Sequence, residues 1–416
     1  MEQPLLTNTN LKPLSRKMAI ISLGIFALSY TTNAMDRNIF PMLLNWISKS
    51  YAFDLKNSGF LATVFTLGCA IAAGMTGYLL DRWSRKTVIV MGMVIYSIAT
   101  FATILATGFM DMLVYRTLTG IGEAMQLAGL FAAACSYFYK NKALAIGTIN
   151  FGFGIGGFIG PYVGIKLLMA TNENWHTPFI VYAVLGLILA ALIWFVVPKV
   201  FTESKGTEQV SAIKQVEVSN IPEKLLNRNI MLCGLSALLW GSTLYAHMGL
   251  YPTFLINQLH FSPITASLSL SIYGIGCMFG IPAGWLGDRY SNRWFAICAW
   301  ICAAIVWYFT YNVATEPWAQ YVLSFLVGLF SSSILHPNSL SLAQRSARPE
   351  LIGRVTGYFS ACTYVTATFS GYIFAWLVGY FGWGGAEILQ LTICPLIAVF
   401  ALLLIKQEQL FMSDCK

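Results

Sequence analysis

Four ionisable side chains lie inside long apolar stretches of the first half of the chain. They are Asp36, Arg37, Arg116 and Glu123. An arginine presents a planar, permanently charged fork that binds a carboxylate or phosphate through two hydrogen bonds. An Asp or Glu in a desolvated cavity can take up and release a proton near neutral pH. We therefore expect Arg37 and Arg116 to bind an anionic substrate, with Asp36 and Glu123 as proton-coupling residues beside them.

The spacing of these residues predicts that their side chains lie together inside the protein. Arg116 and Glu123 are seven residues apart, about two helical turns, so both lie on one face of a helix and about 10 Å apart along its axis. One charge at the centre of a membrane helix costs about 2.5–3.5 kcal/mol, so four charges must pair or face a wet cavity. The alternative is a salt-bridge network that only holds two helices together.

Polar groups of the second half offer further candidates. His247 and His336 could bind substrate or protons, because histidine changes charge near neutral pH. Additional substrate-binding candidates for the same cavity are Tyr245, Tyr251 and Asn338. The alternative for each is a hydrogen-bonded place in an apolar core. Glu387 is expected near the outer end of its stretch, with its charged head reaching water.

The composition is that of a polytopic membrane protein. Of the 416 residues, 57% are hydrophobic and only 10% are charged, whereas about 25% is usual for soluble proteins. This excludes a soluble enzyme, a disordered chain and a nucleic-acid-binding protein. Catalytic Ser/His/Asp constellations, metal-ligand spacing and a Walker-type loop are also missing from the sequence, so we expect no enzyme, metal or cofactor.

Twelve stretches reach the roughly 20 apolar residues that a helix needs to cross a membrane. They are residues 18–47, 57–80, 87–107, 111–138, 143–169, 176–198, 229–258, 263–287, 294–313, 318–347, 351–380 and 384–405. The predicted fold is an all-α membrane protein with twelve transmembrane helices in two six-helix bundles, 18–198 and 229–405. A connecting loop, 199–228, and the tails 1–17 and 406–416 are predicted to be cytoplasmic.

The basic residues orient these helices. Twenty of the 25 Lys and Arg residues fall in the tails or in loops that share one side when there are twelve spans. Basic residues accumulate on the cytoplasmic side of membrane proteins, so both termini are expected in the cytoplasm. The absence of an N-x-S/T sequon from the sequence favours a bacterial inner membrane.

Two similar loops indicate a half-length repeat. Gly77-Tyr-Leu-Leu-Asp81-Arg82-Trp-Ser-Arg85-Lys86 follows the second span, and Gly284-Trp-Leu-Gly-Asp288-Arg289-Tyr-Ser-Asn-Arg293 follows the eighth. The two aspartates are 207 residues apart, close to half the chain. Repeated six-span halves are typical of alternating-access transporters, with the substrate site between the halves.

Both loops resemble the G-x-x-x-D-R-x-G-R-K element of the major facilitator superfamily. The sequence from Arg116 to Gly122 resembles that superfamily's R-x-x-x-G element in the fourth span. The resemblance implies that the loop aspartate meets the positive N-terminus of a neighbouring helix, while the basic residues brace a cytoplasmic gate. The implied gating residues are Asp81, Arg82, Arg85, Asp288 and Arg289. The alternative is that the basic residues only set the orientation.

Two motifs resemble the anion:cation symporters of that superfamily. Asn33-Ala-Met-Asp36-Arg37-Asn-Ile39 is similar to their N-Y-x-D-R stretch, and Gly120-Ile-Gly-Glu123-Ala124 to their G-x-G-E-A stretch. The resemblance implies proton-coupled import of a sugar acid, carboxylate or related organic anion. Ala34 and Pro41 depart from the first motif, where Tyr and Ser are usual.

Other resemblances keep alternatives open. Spinster-like lipid transporters share the Asp-Arg pair and the G-x-G-E-A stretch. The glycine-rich segment Gly156–Ile165 resembles an element of drug antiporters, and residues 358–383 are similar in glycine spacing to organophosphate antiporters. Export of amphipathic drugs or lysolipids, and organophosphate exchange, therefore remain alternatives to import of an organic anion with protons. We expect the protein to act as a monomer in the lipid bilayer.

Overall fold

The computed structural model of the protein describes residues 14–138, 142–203, 222–289, 291–348 and 351–410. This part of the chain is helical and contains no β-strand. Ten of its helical stretches are long and apolar enough to cross a membrane. The all-α membrane architecture predicted from the sequence is therefore confirmed.

The first half forms one bundle. Its helices are α1 (Arg16–Tyr51), α2 (Leu55–Thr63), α3 (Phe65–Arg82), α4 (Arg85–Thr103), α5 (Phe109–Tyr137), α6 (Lys142–Ala170) and α7 (His176–Val196). Three helices begin where a polar side chain accepts a backbone N–H three residues later: Ser15 for α1, Asp54 for α2 and Ser84 for α4. Such caps stabilise a helix start and interrupt the apolar runs. α2 and α3 meet at Val64 and form one crossing.

The second half forms the other bundle after the short helix α8 (Lys199–Thr202). Its helices are α9 (Arg228–Asn257), α10 (Pro263–Cys277), α11 (Gly280–Arg289), α12 (Asn292–Asn312), α13 (Pro317–Val327), α14 (His336–Arg345), α15 (Ile352–Glu387) and α16 (Ile393–Leu403). A π-helical segment, Gly328–Leu335, joins α13 to α14, and another, Ile388–Thr392, joins α15 to α16. Most of the predicted loop 199–228 lies outside the described residues.

The last apolar stretch, Ile352–Leu403, is 52 residues long, and the helix is interrupted within it. Gly382 has a φ of 67°, a left-handed conformation that glycine adopts without strain. Beyond this interruption, Gln390 Nε2 donates to the Ser370 carbonyl at 3.2 Å, so the chain that follows packs against α15. Because the described residues contain ten such stretches, the count of twelve spans stays a prediction.

The two halves run in parallel. Asn257 Nδ2 donates to Asn45 Oδ1 at 3.3 Å, which joins the C-terminal ends of α9 and α1. Both helices therefore begin at the same end of the molecule. We call that end, with Arg16 and Arg228, the basic face, and the other end the opposite face.

The halves are closed together at the opposite face. Thr63 Oγ1 on α2 donates to the Thr368 carbonyl on α15 at 2.9 Å. The backbones of Gly59 and Gly371 are so close that a Cβ on either residue would overlap the other's carbonyl oxygen. Nearer the basic face, an added Cβ would meet no atom within 4 Å at Gly74 and Gly77 on α3, or at Gly353 and Gly357 on α15. At these four positions α3 and α15 thus lack the close packing that joins Gly59 and Gly371.

Candidate functional site

Arg37 of α1 and Glu123 of α5 form a salt bridge in the interior of the first half. Nη2 of Arg37 lies 2.8 Å from Oε2 of Glu123, and Nε of Arg37 donates to the same oxygen at 2.9 Å. The Glu123 side chain is fully buried, whereas that of Arg37 is 13% exposed. The ion pair therefore joins two helices and leaves part of the arginine open.

Two glycines of α5 allow Glu123 to reach this position. A Cβ on Gly120 would overlap the Phe65 carbonyl oxygen of α3, and one on Gly122 would clash with the Gly92 carbonyl oxygen of α4. Small residues let helix backbones approach this closely. α5 is consequently packed between α3 and α4, and Glu123, the next residue, is held in the interior.

The other two ionisable residues have different partners. The Thr100 hydroxyl of α4 donates to Oδ2 of the buried Asp36 at 2.8 Å. Arg116 is buried, and its Cζ lies 4.4 Å from the ring centroid of Phe40 and 5.3 Å from that of Phe65. A cation over an aromatic face is stabilised by the ring quadrupole. Nε and Nη2 of Arg116 have no hydrogen-bond partner among the described residues.

A neutral hydrogen-bond chain continues the site toward the basic face. Asn33 Nδ2 donates to Gln126 Oε1 at 2.8 Å, and Gln126 Nε2 donates to the Ser29 carbonyl at 3.1 Å. Sequence reasoning missed Gln126. Its position three residues after Glu123, on the same helical face, was the available signal.

A small cavity of about 50 Å³ separates this cluster from the second half. Arg37, Asn38 and Phe65 border it from the first half, and Tyr245 and Tyr273 border it from the second. The Phe65 ring also lies 5.4 Å from the Arg37 Cζ. The partly exposed arginine therefore faces the junction between the halves.

The structure brings the four predicted ionisable residues into one cluster, on α1 and α5. Arg116 and Glu123 do lie on the same helix, but the salt bridge that forms is between Arg37 and Glu123. Asp36 binds a threonine of α4. The roles of these residues in substrate binding and proton coupling remain predictions.

Comparison with known families identifies this arrangement. The family model described as Major Facilitator Superfamily matches residues 26–280 and 233–410, most of the chain. The chain belongs to the major facilitator superfamily. It is accordingly a transporter with multiple membrane-spanning helices, and not an enzyme.

Similar members of the superfamily carry different substrates. The chain is 26% identical to a hexuronate transporter of Bacillus subtilis over 270 residues, which span 63% of this chain and 62% of that transporter. It is 30% identical to the sphingosine-1-phosphate transporter SPNS2 of Mus musculus over 178 residues, 42% of this chain and 32% of that protein. The chain thus spans less than two thirds of each of these relatives.

A solved structure of a superfamily member has the same fold. It is a bacterial homologue of the human lysosomal transporter Spinster, in an inward-facing and occupied conformation. The TM-score is 0.70 at 16% sequence identity, over 94% of this chain and 96% of that one. This likeness establishes the shared fold.

In the present protein, the two histidines predicted as ligands do not border the cavity. His247 is buried, with Nδ1 3.1 Å from the Tyr311 hydroxyl and its ring stacked 4.5 Å from that of Tyr251. The His336 ring lies 4.5 Å from the Trp240 ring. Neither histidine is among the residues that border the cavity beside Arg37. Their roles as ligands remain predictions.

Tyr251 and Asn338 are engaged within the second half. The Tyr251 hydroxyl donates to Gln320 Oε1 at 2.9 Å. Asn338 Oδ1 accepts from Asn292 Nδ2 at 2.8 Å, at the start of α12. Neither residue borders the cavity beside Arg37. Their predicted part in substrate binding is likewise untested.

The first predicted gating loop is arranged around a different acid. Asp81 and Arg82 are exposed, and the Arg82 guanidinium stacks 4.3 Å from the Tyr78 ring. In addition to the Ser84 cap, the N-terminus of α4 binds Glu203, whose carboxylate accepts the backbone N–H groups of Arg85 and Lys86, each at 3.1 Å. A carboxylate is stabilised at a helix N-terminus.

The second predicted gating loop is described only in part. Arg289 is exposed at the end of α11. The side chain of Asp288 lies outside the described residues. Gating by either loop therefore stays a prediction.

A buried acid in the second half departs from expectation. Glu387 is fully buried instead of reaching water, and its Oε2 accepts from Asn312 Nδ2 at 2.8 Å. Its Oε1 accepts from the Thr392 hydroxyl at 2.5 Å. One neutral donor from the end of α12 and one from the segment between α15 and α16 thus hold this carboxyl group. Nothing in the sequence indicates this contact, because Asn312 is 75 residues away from Glu387.

Proposed function

We propose that the protein imports a small organic anion together with protons, by alternating access between its two halves. The observation that supports this proposal most directly is the Arg37–Glu123 salt bridge at the edge of the inter-half cavity. Arg37 borders the cavity, while its acidic partner lies behind it in the protein interior. The site thus offers a cation to an anion that arrives from the cavity.

Competition for Arg37 would couple the anion to a proton. A guanidinium stays charged in proteins, so Arg37 needs a negative partner whenever it is desolvated. Glu123 supplies that charge in this structure. If Glu123 takes up a proton, Arg37 is released to bind a substrate carboxylate through its planar fork. Proton binding and anion binding would then favour each other.

The charge count of the cluster gives the same result. Asp36 and Glu123 balance Arg37 and Arg116, so the ionised empty site is neutral. Adding a monovalent anion alone would leave one excess negative charge in a desolvated site, which is unfavourable. One proton on either carboxylate restores neutrality. A stoichiometry of one proton for each monovalent anion is therefore favoured.

We assign the basic face to the cytoplasm, because Lys and Arg residues accumulate on that side of membrane proteins. Both termini would then be cytoplasmic. The contact between the halves at the opposite face, with open space beside Gly74 and Gly357 nearer the basic face, is what an inward-facing state would have. We further propose a bacterial inner membrane as the location and a monomer as the working unit.

The relatives support an organic anion as the substrate and also support one alternative function. The hexuronate transporter of Bacillus subtilis handles a sugar acid. The likeness to the sphingosine-1-phosphate transporter SPNS2 favours, as second candidate, a proton-coupled exporter of an amphipathic lysolipid. The two candidates differ in the direction of coupled proton movement and in the substrate that elicits it.

The test uses purified protein in liposomes with an imposed pH gradient and an entrapped pH-sensitive dye. Sugar acids, aromatic acids, dicarboxylates, phosphate esters, lysolipids and cationic drugs are added outside one at a time. Proton entry that requires an organic anion is the expected result. Proton movement elicited only by lysolipids or amphipathic cations would replace import with export.

Replacing Arg37 tests the role of its planar fork. We expect Arg37→Lys to abolish high-affinity uptake, because an ammonium group cannot reproduce two parallel hydrogen bonds to a carboxylate. The matched control is Arg228→Lys at the exposed start of α9, which should transport like the wild type. Full activity of Arg37→Lys would refute anion binding by this residue.

A further inference from the structure

The cavity beside Arg37 is charged on one wall only. From the first half, Arg37 reaches it together with the rings of Phe65 and Phe153. From the second half, the bordering residues are Leu244, Tyr245, Met248, Gly249 and Tyr273, none of which is charged. A substrate with a second anionic group would press that group against apolar side chains. Such burial without a partner is costly, so the walls fit a monovalent anion.

The cavity also has few groups to satisfy a polyhydroxylated substrate. Asn38 Nδ2 is already bonded to the Ala34 carbonyl at 2.7 Å. The Tyr273 hydroxyl is bonded to the Ser332 hydroxyl at 2.6 Å. A buried hydroxyl without a partner loses about 1–3 kcal/mol of hydrogen bonding to water. A sugar acid would bring several such hydroxyls into this space.

The aromatic rings supply what the polar groups do not. Phe65 on α3 and Tyr245 on α9 lie 5.9 Å apart between ring centroids, tilted by 57°, so they meet across the junction of the two halves. Phe65 also lies within 5.4 Å of the Arg37 Cζ. Ring centroids of aromatic pairs prefer separations of about 4.5–7 Å. A further flat ring can join this cluster while its carboxylate stays at Arg37.

Tyr245 additionally carries a hydroxyl that no described residue hydrogen-bonds. The side chain is only partly buried and borders the cavity. A phenolic hydroxyl both donates and accepts, so it can bind one polar substituent on a ring. In the present conformation the cavity holds only about 50 Å³. A planar ring needs less separation of the walls than a puckered sugar ring of similar mass.

From these walls we infer that the substrate is an aromatic monocarboxylate, with its carboxylate on Arg37 and its ring packed against Phe65 and Tyr245. This inference rests on the proposed function, since it names the class of anion for the same site. It makes Tyr245 a specificity-determining residue contributed by the second half.

The probes are benzoate, cyclohexanecarboxylate, glucuronate and phthalate, compared as drivers of proton entry into proteoliposomes. Benzoate and cyclohexanecarboxylate share one charge and similar size, but only benzoate has a π system. We expect benzoate to be transported at a lower KM than cyclohexanecarboxylate, and glucuronate and phthalate to be poor substrates. Transport of glucuronate with no response to benzoate would overturn this inference while leaving organic-anion import intact. No response to any anion would overturn both.

Variants of Tyr245 locate the ring contact. Tyr245→Leu should raise the KM for benzoate by about 2- to 10-fold, the size of one aromatic pair, with little change for cyclohexanecarboxylate. Tyr245→Phe should restore the benzoate KM. The control is Tyr308→Leu, a tyrosine that is 42% exposed on α12. Equal losses for both substrates in Tyr245→Leu would mean that the residue only supports the fold, and would contradict the assignment.

Discussion

The replacement of Glu123 by glutamine removes one negative charge and exchanges a single heavy atom, a carboxylate oxygen for an amide nitrogen. Glu123 Oε2 accepts two N–H groups from Arg37, at 2.8 and 2.9 Å. The glutamine carbonyl oxygen can still accept them, but as a neutral group. A hydrogen bond to a charged group contributes about 1.5–3 kcal/mol and a neutral one about 0.5–1.5 kcal/mol. Since both bonds are weakened, we expect the free energy of unfolding to fall by about 2–3 kcal/mol. A protein of ordinary stability, about 5–15 kcal/mol, stays folded after such a loss.

The substitution should also abolish proton-driven accumulation of substrate. A gradient of one pH unit supplies about 1.36 kcal/mol for each proton, a factor of about ten in concentration. Electroneutral symport of one proton with one monovalent anion therefore supports about tenfold accumulation per pH unit. Because glutamine cannot take up the coupling proton, Glu123→Gln should lose this accumulation. Exchange of labelled for unlabelled substrate, which needs no net proton movement, should continue.

The assay measures both activities in the same proteoliposomes, with the membrane potential clamped at zero by potassium and valinomycin. Internal substrate is quantified at steady state with and without a pH gradient, and exchange is measured after preloading. Glu316→Gln, a change at an exposed residue before α13, is the control and should accumulate substrate like the wild type. Tenfold accumulation by Glu123→Gln would show that Glu123 does not couple the proton, and would refute the competition for Arg37.

Two further substitutions test the closed face and the buried acid. Gly371→Ala places a Cβ against the Gly59 backbone, and overpacking of this kind costs about 1–3 kcal/mol. Distances between spin labels at the opposite-face ends of α2 and α15 should therefore increase. The control is Gly357→Ala, in open space on the same helix, which should leave these distances unchanged. Glu387→Ala leaves the Asn312 amide and the Thr392 hydroxyl without their acceptor, which costs about 1–3 kcal/mol for each group. Thermal unfolding should begin at a lower temperature than in the wild type or in the Glu316→Ala control. An unchanged melting temperature would contradict a structural role for Glu387.

The crossings could be predicted from the sequence because apolar length is a local property. A helix spans a membrane with about 20 apolar residues, and the described helices meet that requirement at nearly the predicted positions. The last two predicted spans, 351–380 and 384–405, are more clearly divided in the sequence than in the structure. The non-helical conformation of Gly382 leaves the helical stretch Ile352–Leu403 almost unbroken, whereas the sequence places a Gly-Trp pair there.

The cluster of charges was predictable in membership but not in pairing. Charged side chains in apolar spans must converge, because each is costly alone. Helical periodicity put Arg116 and Glu123 on one face, yet Glu123 pairs with Arg37, 86 positions away along the chain. That pairing depends on how closely α5 packs against α3 at Gly120. Such packing is a tertiary property, which the spacing of residues within one helix does not contain.

On the proposed function, the same charges explain how protons would be kept from crossing without substrate. With Glu123 protonated and the cavity empty, Arg37 and Arg116 would face the single charge of Asp36. The site would then carry one net positive charge, and an uncompensated charge in the interior costs several kcal/mol. Two states avoid this cost, the ionised empty site and the protonated site with a bound anion. The halves would then interconvert readily only in these two neutral states. Coupling would follow from charge balance within the first half, and on our inference Tyr245 in the second half would select the anion that completes it.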